Sequence, residues 1–164
     1  FKFKLSTVYE YSLKNTEEIF CHNELLFLNE KFKKKLKYEI KDTNFYEHLL
    51  LKSNQLSTSA TSVSLNFIRK NKILFNEENT HFSVEDYDFW LRCAQRTKTI
   101  QYFDHDFSYY RLHPNAKTVK YHAKALSSLE SISRKFLKDL PIHKRVIYSL
   151  SEKFSDSKYL SKNA

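Results

Sequence analysis

The chain has 164 residues, 41% hydrophobic and 16% aromatic, which is enough apolar material for one packed domain and too much for a disordered segment. It contains no glycine, so neither a glycine-rich phosphate loop nor a dinucleotide-binding glycine fingerprint can be written in it. Its 28 Lys and Arg against 19 Asp and Glu leave a formal charge of +9, which suits an anionic partner (nucleic acid, an acidic membrane face or a phosphorylated substrate) without choosing among them.

In chain order, Phe1 opens a sequence without methionine, as expected of a chain that has been cut, processed or excerpted. The first fifteen residues lack the apolar core and cleavage site of a signal peptide, and residues 5–15 read as an amphipathic helix ending at Asn15. Residues 18–33 form an apolar, β-leaning run interrupted by His22–Glu24, which predicts one bent strand or two short ones. "KFKKKLK" at 31–37 is a charge run of the kind that usually marks a solvated surface, and it offers Lys31, Lys33, Lys34, Lys35 and Lys37 for peripheral contact with an anionic membrane. The spacing of Phe45, His48 and Leu49 predicts a helix over 44–53. Alternation through Val63, Leu65 and Phe67 predicts a strand within 57–71.

Phe89, Trp90, Cys93 and Ala94 then fall on one face of a helix over 86–97. Residues 99–104 and 107–113 read as two short strands around a turn at His105–Asp106. From Ala116 to Leu140 the pattern is helical, with Val119, Leu126, Leu129, Ile132 and Phe136 on one stripe, and Pro141 starts another helix. The fold class is α/β, with a helical extension over 119–164 after a main portion over 1–118. Cys21 and Cys93, two and far apart, make neither a disulfide framework nor a zinc pattern, as in a cytoplasmic protein with reduced thiols. No stretch approaches the roughly 18 apolar residues of a membrane span.

One constellation carries chemistry. "SVEDYDFWLRCA" (83–94) sets Glu85 and Asp86 side by side where a helix begins. Ser83 followed by Asp86 nearly spells a capping box, and both acids favour the positive end of the helix dipole. The other reading is a general base: Trp90 lies four residues after Asp86, where an indole excludes water and raises a carboxylate's pKa. Downstream, "YYRLHPNAKT" (109–118) delivers Arg111 and His113 to a turn at Pro114, and a histidine there with an upstream carboxylate is a candidate metal ligand.

The segment "SVSLNFIRKN…FNEENTHFSVEDYDFWLRCAQRTKTIQYFDHDFSYYRLHPNAKT" resembles the second half of a family 2 glycosyltransferase of the GT-A fold, well over 57–118 and loosely over 4–30. That resemblance implies a Rossmann-like mixed sheet and an inverting, metal-dependent hexosyl transfer from a nucleotide-sugar donor to a glycan or lipid-linked acceptor. In that role Asp86 is the general base, Glu85 holds position or contacts the acceptor, and Trp90 walls its pocket. Arg111 assists the charge on the diphosphate, and His113 helps hold Mn²⁺ or Mg²⁺. The implied setting is bacterial surface polysaccharide synthesis, cytoplasmic or at the inner face of the membrane, and the Lys, Asn, Phe and Tyr excess agrees with an AT-rich bacterial genome. This chain departs from the family pattern in reading Phe75-Asn76-Glu77 at the expected Phe-Asp-Glu turn and in lacking the glycine ahead of it. The family's Asp-x-Asp metal motif is expected upstream of Phe1, so residues 1–164 alone are expected to be inactive and to bind no nucleotide sugar. The competing readings are a non-catalytic domain that has kept the fold, and a basic nucleic-acid-binding module; the glycosyltransferase reading expects no nucleic acid partner.

Overall fold

A computed structural model of the chain describes residues 3–40, 44–52, 54–77, 84–113, 115 and 120–146. The amphipathic start forms helix α1, Lys4–Lys14, and Asn15 ends it by donating its side-chain amide to the Tyr11 carbonyl at 2.7 Å. None of its residues is buried; Tyr11 stacks on Phe103 with ring centroids 4.8 Å apart, which lays the helix across an aromatic patch that also holds His22, His105 and Phe107.

The apolar run that follows is a single strand, β1 (Ile19–Leu28), and the lysine run is a second, β2 (Lys31–Leu36), exposed along nearly its whole length. They form a hairpin through Asn29 and Glu30, whose φ values of 49° and 62° give the left-handed pair that a two-residue turn needs to match strand twist. Asn tolerates that region through its short polar side chain, whereas Glu30 enters it against its own Cβ.

β1 is the centre of a mixed, open four-stranded sheet, in an α/β arrangement. Antiparallel β2 and β3 (Thr61–Val63) share one edge of it, and parallel β4 (Gln101–Leu112) runs along the other. The two short strands expected at 99–104 and 107–113 are therefore one strand. Phe103 lies opposite His22, Asp106 opposite Asn23 and Ser108 opposite Glu24, so the polar residues that read as a turn are taken up as bulges. The strand expected through Leu65 and Phe67 also needs correction. It stops at Val63, and Ser64 caps helix α3 (Leu65–Asn71) by accepting from the Phe67 amide at 3.3 Å. A serine hydroxyl that satisfies a first-turn amide outweighs an alternation built from small polar residues.

Helices α2 (Phe45–Lys52) and α4 (Glu85–Ala94) fall where their spacing predicts, and each buries a face. With Ile19 and Cys21 of β1 they make the main core, joined by Ile132, Phe136 and Leu140 from α5 (His122–Leu137) and its end. Two tyrosines tie this layer together. The Tyr46 hydroxyl donates to the Phe136 carbonyl at 2.8 Å, and the Tyr87 hydroxyl donates to the Leu49 carbonyl at 3.0 Å and lies 3.2 Å from Ser133 Oγ. Helical backbone resumes over 142–146, begun at Pro141. Val119, Pro114 and the boundary expected at 118 lie outside the described residues. Among the described residues, no helix is long and apolar enough to cross a membrane.

Candidate active site

Helix α4 separates the two adjacent carboxylates. Glu85 is exposed, while Asp86 turns toward the 54–59 segment and is half-buried. The N-cap position is held by Val84, which has no oxygen to offer in its side chain; Ser83, the expected cap, lies outside the described residues. Asp86 Oδ1 accepts the Tyr87 amide at 2.8 Å and the Asn54 side-chain amide at 3.3 Å, and Oδ2 accepts the Thr58 hydroxyl at 3.3 Å. Burial pushes the Asp86 carboxyl above the usual aspartate value, and the charge on Glu85 adds to the rise, against the pull of those three hydrogen bonds.

Asp86 stands on the wall of a cleft of about 1230 Å³. Leu26, Tyr110 and Leu112 line it from the sheet, residues 54–59 and Val84 line the side next to Asp86, and Leu126 and Leu129 come from α5. Tyr38 and Lys34 line it from the β2 side.

A second carboxylate lies at the same end. Glu24 is fully buried in the middle of β1 and accepts from the hydroxyls of Tyr38 at 2.7 Å, Ser59 at 2.5 Å and Ser108 at 2.8 Å. Burial on its own would raise its carboxyl; hydrogen bonds from Ser59, Tyr38, Ser57 and Ser108 outweigh that and hold it below the usual glutamate value. Sequence reasoning passed over Glu24, Tyr38, Asn54, Thr58 and Ser59. The available signal was the interruption of an apolar strand by His22-Asn23-Glu24, since buried polar groups persist in a sheet only when partnered. Asn23 donates to Asp104 and accepts from Tyr102, and His22 Nδ1 lies 2.8 Å from the Asn23 carbonyl oxygen.

The remaining expected site residues lie elsewhere. Trp90 is only 2% exposed and sits in the main core, edge-to-face with Phe89 at 5.0 Å, so it packs the helix layer and does not line the Asp86 cleft. Arg111 and His113 are exposed at the far end of β4, where they share a smaller cleft of about 440 Å³ with Asn29, Glu30 and Leu112, and Leu112 also lines the Asp86 cleft. Tyr110 and Leu112 line the Asp86 cleft, and alternation along β4 turns Arg111 to the other face, while His113 lies just past the strand's end. His113 and Glu30 beside the cationic Arg111 do not make a divalent-metal site by themselves, and no group of three metal-ligating side chains occurs among the described residues. Of the lysines, Lys35 pairs with Asp106 at 3.0 Å and Lys37 with Asp104 at 3.3 Å, while Lys31, Lys33 and Lys34 are exposed. No family model, curated protein or solved structure matches this chain.

Proposed function

We propose that this chain is the acceptor-side portion of an inverting glycosyltransferase of GT-A type. The carrying observation is Asp86: a half-buried carboxylate with a raised pKa, aimed by Asn54 and Thr58 at the wall of a large cleft. In the reaction Asp86 takes the proton from an acceptor hydroxyl as that oxygen forms its bond to the donor's anomeric carbon. The bond from that carbon to the nucleoside diphosphate breaks on the opposite face, which inverts the configuration. Asn54 and Thr58 keep the carboxylate turned into the cleft, and burial makes it a stronger base than a solvated aspartate. Arg111 and His113 line the smaller cleft that meets the first at Leu112 and take no part at the acceptor hydroxyl. The exposed Lys31 and Lys33 on the hairpin suit contact with an anionic bilayer, where lipid-linked substrates are met.

The test uses a polypeptide that carries the expected nucleotide-binding half together with this chain. Asp86→Asn lowers turnover by about 10²–10⁴ while nucleotide-sugar binding persists. The transfer rate of the native enzyme rises with pH through a value above that of an ordinary aspartate, because the base acts only when ionised. The same substitution leaves the melting temperature of residues 1–164 unchanged or raised. A carboxyl whose pKa is raised on folding costs stability when ionised, and Asn does not carry that cost. An Asp86→Asn enzyme that transfers at the native rate and melts lower returns the residue to helix stabilisation alone.

A further inference from the structure

The aromatic patch that α1 crosses encloses a histidine. His22 of β1 is 1% exposed, and its ring packs against Phe103 and Phe107 of β4 at centroid separations of 5.9 and 5.6 Å. Its Nδ1 lies 2.8 Å from the Asn23 carbonyl oxygen. A carbonyl only accepts, so Nδ1 carries the hydrogen and Nε2 of the neutral ring is a bare lone pair. Nε2 is buried and has no hydrogen-bond partner among the described residues. A proton taken up there adds a charge and an unsatisfied donor among aromatic rings. The groups that face the ring are Lys4 of α1, Glu24 of β1 and Asp106 of β4, with His105 of β4 against the Phe103 and Phe107 rings. Glu24 and Asp106 attract a charge on His22 and Lys4 repels it. The attraction is weakened, because hydroxyls already close on Glu24 and Lys35 pairs with Asp106 at 3.0 Å. Burial lowers the His22 pKa from the ordinary histidine value, against the pull of the Asn23 carbonyl and with the push of Lys4.

The helix over this ring is lightly secured. α1 buries none of its residues: Lys4, Thr7, Val8 and Tyr11 are half-buried, and Leu5, Tyr9 and Leu13 are open to solvent. The Tyr11 stack on Phe103 and a 2.5 Å hydrogen bond from Lys4 Nζ to the Ser59 carbonyl attach it, whereas α2 and α4 belong to the main core. We propose that α1 is a strap released by acid: His22 takes up a proton, and α1 lifts from the sheet about the non-helical residues 15–17 while the main core stays folded. Neutral His22 favours the closed strap, so its contribution is present above the ordinary histidine value and is lost as pH falls from there through the lower folded value. Ser59 carries the change to the cleft. It lines the cleft wall, takes Lys4 on its carbonyl and gives its hydroxyl to Glu24.

The experiment follows histidine ring signals and amide hydrogen exchange by NMR in isotope-labelled residues 1–164, from about pH 7 to about pH 5. His22 is expected to titrate below the ordinary histidine value. Over the same range the amide protection factors of α1 are expected to fall at least about tenfold while those of α2 and α4 hold. The coupling is reciprocal: if protonation opens the strap, opening the strap raises the His22 pKa. Tyr11→Ala, at a half-buried position, is therefore expected to lower α1 protection at neutral pH and to move the His22 titration up toward the ordinary value. His22→Gln is expected to keep α1 protected across the range. Protection of α1 that stays constant through the His22 titration, or α1 and α4 losing protection together, overturns the proposal. So does a His22 titration unmoved by Tyr11→Ala. A folded His22→Gln chain that keeps the acid response, as it would with His105 as the sensor, overturns it as well.

Discussion

Replacing Glu24 by Gln keeps the shape of a fully buried side chain and removes its charge. In the native chain its oxygens accept from three hydroxyls: Tyr38 at 2.7 Å, Ser59 at 2.5 Å and Ser108 at 2.8 Å. A hydrogen bond to a charged group contributes roughly 1.5–3 kcal/mol against about 1 kcal/mol for a neutral one, so weakening three of them removes several kcal/mol. Relief from burying a charge returns part of that loss. The expected net effect at neutral pH is a destabilisation of about 2 kcal/mol, which lowers the melting temperature of a domain this size by about 4–8 °C. The sign of the pH dependence follows from the pKa. Folding lowers the Glu24 pKa, so its contribution is present above the ordinary glutamate value and is lost as pH falls through the folded value. The gap between native and Glu24→Gln melting temperatures therefore narrows toward acid. Circular dichroism melts at neutral pH and in steps below the ordinary glutamate value read both effects. Equal melting at neutral pH, or a gap that stays constant into acid, refutes the claim that charged hydrogen bonds hold this end of the cleft.

At the hairpin, Glu30→Gly removes the cost of a left-handed non-glycine residue, about 1–2 kcal/mol, and adds about 0.5–1 kcal/mol of chain entropy, so the chain is expected to melt slightly higher. A lower melting temperature would sink the turn assignment. Lys31→Glu combined with Lys33→Glu is expected to weaken sedimentation with phosphatidylserine vesicles by at least about tenfold, since each lysine near an anionic surface contributes about 1 kcal/mol. Unchanged vesicle binding removes the membrane contact from the functional reading.

The helices of the main layer were legible because their apolar spacing is their reason for forming: Phe45 and Leu49, then Phe89, Cys93 and Ala94, are all among the buried residues. The strands were harder, because tertiary pairing decides them. His105 and Asp106 carry turn chemistry, yet they stay in β4 because bulges opposite His22 and Asn23 absorb the extra length. Leu65 and Phe67 alternate like strand residues, yet one local hydrogen bond to Ser64 makes them helical. For the site, Asp86 was visible as an acid at a helix start. Which residues surround it was not, because Asn54 and Thr58 come from a segment 28 to 32 residues away that only the fold brings near. Trp90 shows the converse error. A helical offset of four places two residues on one side of a helix, but α4 is buried on most of its circumference, so a shared side does not mean a shared pocket.

Glu24 and Asp86 bear on the choice between a structural and a chemical carboxylate. Neighbouring hydroxyls divide between them, Ser59 to Glu24 and Thr58 to Asp86, so the two acids lie near one another, Asp86 on the cleft wall and Glu24 fully buried outside its lining. Their environments push them in opposite directions. Glu24 is buried more completely, but enough hydroxyls turn toward it to hold its pKa down, which is what a carboxylate that serves folding requires. Asp86 also has donors, including a first-turn amide, and helix α4 presents its positive end to it. Even so, burial prevails and its pKa is raised. A residue placed only to cap a helix would gain from being ionised, whereas this one is ionised at a cost to folding. Neighbouring carboxylates whose pKa values are driven apart suit different tasks, and under the proposed function the raised one, on the cleft wall, is the candidate for proton transfer. That contrast, together with the place of Asp86 on the cleft wall beside Asn54 and Thr58, is what supports its proposed role as the base.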